Sequence, residues 1–201
     1  MSSILYRIFA LCLFLVALLL PASAQAQEDV IRKMLIDRDH EIKALLGDKK
    51  TLTDAQEDEL KELINGVIDF DRMSQDALGA EWSKLTPEQH TEFVKVFSEI
   101  VKGQSLADLD IYRLNMTIGD IKVDDDSAHV ETTTVYKEKP MNVAYALGFR
   151  GNEWRVDDII LDGVSTTEGY ARSFQTYVRK RGFDALMASL HKKLDKMSAT
   201  G

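Results

Sequence analysis

The stretch Trp154 to Phe174, WRVDDIILDGVSTTEGYARSF, decides the fold. Gly151-Asn152, just before it, is the kind of two-residue turn that closes a β-hairpin. Glu153 to Leu161 is rich in β-branched and apolar residues and reads as a strand, with Asp157 and Asp158 in its middle. Gly163 breaks that pattern. Ser165, with Glu168 three residues on, reads as a capping box that opens a helix carrying Tyr170, Phe174 and Tyr177. A strand buried on at least one face therefore runs straight into an aromatic-bearing helix.

Upstream, the period-2 pattern continues. Met116 to Val123, His129 to Lys137 and Met141 to Arg150 are strand candidates, giving four with Glu153 to Leu161. They are separated only by Asp124-Asp125-Asp126-Ser127, Glu138-Lys139-Pro140 and Gly151-Asn152, and such short connections imply an antiparallel meander. In the third strand Val143, Tyr145, Leu147 and Phe149 line one face, and Ala144, Ala146 and Gly148 the other.

Before the strands the period is helical. Val30 to Leu46 carries an apolar stripe and stops at Gly47. Thr53 with Gln56 caps a second helix, and a third runs from about Phe70 to Leu78 and ends at Gly79. Thr86 caps the fourth, with Pro87 in the first turn, and that helix buries Phe93, Val94, Phe97, Ile100 and Val101 before Gly103 ends or bends it. Helices from about Thr166 to Arg181 and from Phe183 to about Lys196 close the chain. The pattern predicts an α+β protein: a helical N-terminal half, a four-stranded antiparallel sheet and C-terminal helices.

The N-terminus reads as a targeting segment. Arg7 supplies a positive charge, Ile8 to Leu20 an apolar run of 13 residues, and Ala24-Gln25-Ala26 a small-residue cleavage site. A run of that length is too short to span a bilayer as a helix. Residues 1–26 are therefore expected to be a cleavable signal peptide and 27–201 one exported domain. Cys12, the single cysteine, leaves with the leader, so the mature chain relies on its core without disulfides. Cleavage removes one of 25 basic residues and none of 33 acidic ones, taking the net charge from −8 to −9. An acidic surface argues against nucleic acid as a partner.

Catalytic and metal-binding patterns are weak. His40, His90, His129 and His191 have no metal-ligand spacing and read as surface residues. Ser165 sits in G-V-S-T-T rather than in G-x-S-x-G, and capping explains it. Asp124-Asp125-Asp126 lacks the alternating ligands of a calcium loop and reads as a solvated turn. A strand sends Asp157 and Asp158 to opposite faces, so one should point inward, as a general base or as a hydrogen-bonding strut; the strut is favoured because no partner acid or base accompanies it. Arg179-Lys180-Arg181 suits a helix C-terminus as well as an anionic partner.

Taken together, W-R-V-x-D-I-I-L-D-G-V-S, G-Y-x-x-S-F, Phe70-Asp71-Arg72-Met73, Ala77-Leu78-Gly79, Trp82, Thr86-Pro87-Glu88-Gln89 and Phe93 resemble the MlaC family, as do Gly182, Asp184, Leu186 and Leu190. The chain departs from that pattern at Asp157, at Thr166-Thr167, at Ala171 and near Ser105. The resemblance implies a periplasmic carrier that holds a glycerophospholipid by its acyl chains, with no cofactor beyond that cargo. Its implied partners are an outer-membrane lipoprotein complex and an inner-membrane MCE-domain ABC transporter complex, and its implied roles are outer-membrane lipid asymmetry and toluene tolerance. In an NTF2-like or MlaC-like pocket, Phe93, Phe97, Val143, Tyr145 and Leu147 are the candidate wall, joined by Val156, Val164, Tyr170 and Phe174. The alternatives are a small NTF2-like enzyme using Asp158 as base and a carrier of another lipid such as a hopanoid.

Overall fold

The computed structural model describes residues 20–49 and 51–199. Helix α1 spans Leu20–Leu46, α2 Asp54–Asn65, α3 Phe70–Leu78 and α4 Pro87–Ser105. Five strands follow: β1 Thr117–Asp124, β2 Ser127–Tyr136, β3 Lys139–Arg150, β4 Glu153–Leu161 and β5 Val164–Ser165. Helices α5 (Thr166–Arg181) and α6 (Phe183–Ser198) complete the order. Short 3-10 turns at Gly79–Lys84 and Leu109–Arg113 flank α4.

The helix starts follow from capping. Thr53 and Thr86 each close a full capping box, with Gln56 and Gln89 respectively. Asp69 caps α3 by accepting the Arg72 N–H at 2.9 Å. The expected helix at Val30 to Leu46 is longer at its N-terminal side, so Ala24-Gln25-Ala26 lies within α1. Most of the apolar run, together with Arg7 and Cys12, lies outside the described residues. Among the described residues no helix is long and apolar enough to cross a membrane.

The sheet is an antiparallel meander in the order β1-β2-β3-β4-β5. It has five strands rather than four. Asp162 and Gly163 both take positive φ, 47° and 81°, and this tight turn folds Val164 and Ser165 back onto Leu161 and Ile160 before α5 begins. The turn between β2 and β3 is Lys137-Glu138, with φ of 48° and 63°, so Lys139 and Pro140 fall inside β3 rather than in the loop. α4 runs on through Gly103 to Ser105, and a Cβ at Gly103 would lie 2.5 Å from the Met197 Cε of α6. α4 buries Val96 with Phe93, Phe97 and Ile100, while Val94 is only half-buried.

Apolar side chains form two clusters. One joins the sheet face of Val130, Leu147 and Val156 to α3, α4, α5 and α6 through Met73, Phe93, Phe97, Phe174 and Leu186. The other gathers Ile42, Leu46 and Leu60 of α1 and α2 with Leu109 and Tyr112. Along its edge away from β3, β4 also pairs with the segment before α3: Val156 donates to the Val67 carbonyl and Asp69 to the Val156 carbonyl, each at 2.8 Å.

Candidate functional site

Register builds one wall of the site. On one face of the sheet Thr132, Val143 and Leu161 lie side by side; Val130, Tyr145 and Ile159 form the next row, and Ala128, Leu147 and Val156 the row beyond. On β2 all three positions are buried, but along β3 and β4 burial falls from row to row. Leu147 and Val156 are 2% and 1% exposed, Tyr145 and Val143 are half-buried, and Leu161 is 45% exposed. Val164, paired with Leu161, is 60% exposed. An apolar strip thus leads from the deep interior to a solvent-facing lip.

A bulge in β4 makes this strip continuous. Ala146 pairs with Asp158 while its neighbour Leu147 pairs with Val156, leaving Asp157 as the extra residue. The insertion shifts the alternation, so that Val156, Ile159 and Leu161 share the face with Tyr145, and Asp158 shares the small-residue face with Ala146. Neither aspartate therefore points into the interior, contrary to simple alternation. Asp158 accepts the Thr167 N–H at 2.9 Å and the Ser165 hydroxyl, while Ser165 accepts the Glu168 N–H at 2.9 Å. The capping of α5 is completed by Asp158 rather than by the Glu168 side chain. Asp157 pairs with Arg150, whose guanidinium lies over Gly148 and also reaches Asp69 at 2.9 Å.

Helices supply the other wall. Phe93 and Phe97, one turn apart on α4, stack at 5.6 Å between ring centroids. Phe174 of α5 meets both edge-on, at 5.9 and 5.5 Å, and Tyr170 meets Phe97 at 4.8 Å. Phe183, which the sequence did not single out for this site, joins Phe93 at 6.2 Å across the turn into α6. Phe93 and Phe97 are fully buried and Phe174 is 6% exposed. Tyr170 keeps its hydroxyl on Gln104 of α4, and burial pushes its phenol pKa up. The rings fill the interior by packing on one another, so the interior is closed. An open cleft of about 630 Å³ lies elsewhere, among Asp48, Lys49, Leu109 and Arg113, and its charged lining is unlike this strip.

The structure thus brings Phe93, Phe97, Leu147, Val156 and Phe174 into one buried cluster, with Tyr145 and Tyr170 packed at its margin. Val143 stands at the lip and Val164 outside it. Sequence reading did not find the polar residues behind Tyr145. Tyr112 stands beside it, and both phenols are pushed up to about 12, each chiefly by burial. No spacing could have joined them, because Asp39, Asn65, Ser105, Tyr112 and Tyr145 come from five separate segments. His90 is not a plain surface residue: its ring stacks on Trp82 at 3.9 Å and its Nε2 lies 2.8 Å from the Trp82 carbonyl. Among the described residues no group of His, Cys, Asp and Glu could hold a metal ion.

Helices packed on one face of an antiparallel meander, around an apolar interior whose sheet wall runs out to solvent at one strand end, define an α+β protein. A family model described as MlaC protein matches residues 39–192, and the chain belongs to the MlaC family. Toluene tolerance protein ttg2D of Pseudomonas putida is 28% identical over 175 residues, which cover 83% of this chain and 79% of that one. A solved structure of the phospholipid-binding protein from Ralstonia solanacearum, in complex with a phospholipid, matches with a TM-score of 0.69. That match covers 85% of this chain and 97% of the other at 24% identity, a likeness of fold.

Proposed function

We propose that this protein is a periplasmic phospholipid carrier. It takes a glycerophospholipid by its acyl chains and passes it between an outer-membrane lipoprotein complex and an inner-membrane MCE-domain ABC transporter complex. The observation that carries this reading is the strip from buried Leu147 and Val156 out to Leu161 and Val164, facing the Phe93–Phe97–Phe174 cluster. Acyl chains entering along it replace ring-to-ring contacts with ring-to-chain contacts, so the interior can close when empty and open when loaded. Two chains of about thirty methylenes in all are worth on the order of 20 kcal/mol against water. Release into water is then prohibited, while exchange with another apolar site costs little. The names of the Pseudomonas and Ralstonia relatives support the same reading.

The geometry favours a carrier over the enzyme alternative, because both carboxylate oxygens of Asp158 are engaged in capping α5. The test is mass spectrometry of lipid extracted from protein purified from the periplasm, with N-terminal sequencing of the same material. A glycerophospholipid in stoichiometric amount and a first residue of Gln27 are the expected results. Lipid-free protein that also takes nothing from phospholipid vesicles would rule the reading out.

A further inference from the structure

Between the two apolar clusters runs a seam of polar side chains. Asn65, at the end of α2, is 1% exposed. Its Nδ2 donates to the Lys61 carbonyl at 2.8 Å and to Ser105 Oγ at 2.9 Å, but its Oδ1 is buried with no hydrogen-bond partner. Ser105 donates to the Lys102 carbonyl at 2.7 Å and lies against Tyr112. Tyr112 packs with the α1–α2 cluster and Tyr145 with the sheet cluster, so these neighbours face each other across the seam. The Tyr145 hydroxyl makes no hydrogen bond among the described residues. Buried polar groups are almost always paired, yet Asn65 Oδ1 is left over here, and the hydroxyl of half-buried Tyr145 is an unused donor at the interior's margin.

We propose that Tyr145, backed by Tyr112, Ser105 and Asn65, forms a polar subsite that donates a hydrogen bond to an ester carbonyl of the bound glycerolipid. The proposal rests on the carrier reading and specifies what the pocket recognises besides hydrocarbon. Depth is the first reason. Tyr145 lies one row inside the half-exposed Val143–Leu161 pair and one row outside the buried Leu147–Val156 pair. Alternate residues of a strand are about 7 Å apart, so a headgroup left at the lip brings the acyl esters, a few bonds below the phosphate, to Tyr145.

Charge is the second reason. The Asp39 carboxylate is close enough to Tyr145 to oppose ionisation of its phenol, and Lys43 is already paired with Asp39 at 2.8 Å. A phosphate is therefore disfavoured at this depth, whereas a neutral carbonyl is not. With phenol pKa values near 12, Tyr112 and Tyr145 remain protonated donors at any physiological pH. A polycyclic hydrocarbon ligand has no acceptor to offer there.

The test measures uptake from vesicles of diester phosphatidylethanolamine and of its diether analogue with matched chains, by wild type, Tyr145→Phe and Tyr112→Phe. One hydrogen bond corresponds to roughly a three- to tenfold preference of wild type for the diester. Tyr145→Phe should take both lipids alike, at the wild-type diether level, and Tyr112→Phe should narrow the preference. Equal uptake of the two lipids by wild type, or a preference that survives in Tyr145→Phe, overturns the subsite and leaves the carrier reading standing. Failure of wild type to take up either lipid overturns both. Should Tyr145→Phe not fold, the diester-to-diether ratio of wild type decides alone.

Discussion

Asp158 accepts the backbone N–H of Thr167, at 2.9 Å, across the turn that joins β4 to α5. Thr167 is 7% exposed, so its N–H would otherwise be an unpaired donor in the first turn of a helix. The other carboxylate oxygen takes the Ser165 hydroxyl, which itself accepts the Glu168 N–H. One aspartate thus anchors the helix that delivers Tyr170 and Phe174 to the interior.

Replacing Asp158 by Asn puts an amide where a second acceptor is needed and removes a charge favourable at a helix N-terminus. Asp158→Asn is expected to lose roughly 1–2 kcal/mol in urea unfolding, with lipid exchange by the folded fraction largely unchanged. A turnover activity that disappears in a fully folded Asp158→Asn protein would return the enzyme alternative to consideration.

Arg150 joins two aspartates whose titrations have opposite signs. Burial opposes the charge of Asp69, but the Arg72 N–H and the Arg150 guanidinium outweigh it and hold its pKa below the ordinary 3.8. Its stabilisation is complete above that value and is lost as pH falls through the lower folded value. At Asp157 burial wins over Arg150 and the pKa is raised, so charging it costs stability as pH climbs from 3.8 through its higher folded value. Asp69→Asn is expected to cost roughly 1 kcal/mol at neutral pH, a figure discounted for the exposed guanidinium, and to flatten the loss of stability in acid. Asp157→Asn should stay within about 0.5 kcal/mol of wild type. Melting temperatures from pH 3 to 7 check both, and a larger loss at neutral pH for Asp157→Asn than for Asp69→Asn would show that burial does not dominate at Asp157.

Most elements were legible in the sequence because each has a local cause. Thr53, Thr86 and Ser165 mark helix starts through contacts three residues away, and Gly151-Asn152 marks a hairpin through its own backbone. The alternation of Val143, Tyr145 and Leu147 placed them on one sheet face for the same reason. What escaped depends on partners distant in sequence. The bulge at Asp157 exists only in the register between β3 and β4, so sequence alternation alone gave Asp157 and Asp158 the wrong faces. The meeting of Asn65, Ser105, Tyr112 and Tyr145 needs the helices and sheet already assembled.

Gly103 is a third case: as a residue type it reads as a stop, yet α4 runs through it beside Met197 of α6. A Cβ there would meet only the end of the flexible Met197 side chain, which can turn aside. Gly103→Ala is therefore expected to leave stability unchanged or raise it by up to about 1 kcal/mol, the usual gain of alanine over glycine inside a helix. A drop of more than about 1 kcal/mol in denaturant unfolding would mean that α6 cannot adjust.

The decisive comparison is between two positions on one strand face. Val143 is half-buried beside exposed Leu161, whereas Leu147 is 2% exposed beside Val156. A tryptophan at Val143 has solvent to extend into, so it should leave the melting temperature of delipidated protein nearly unchanged. On the carrier reading it would nevertheless stand across the entry strip, and bound lipid should fall sharply. A tryptophan at Leu147 must displace neighbours in a filled interior, and overpacking of that kind costs roughly 1–3 kcal/mol. Val143→Trp should therefore separate lipid load from stability, and Leu147→Trp should lower both. Lipid content by mass spectrometry and melting temperature, measured on the same preparations, make the distinction. Full lipid load in a stable Val143→Trp protein would move the mouth of the pocket away from the Val143–Leu161 lip.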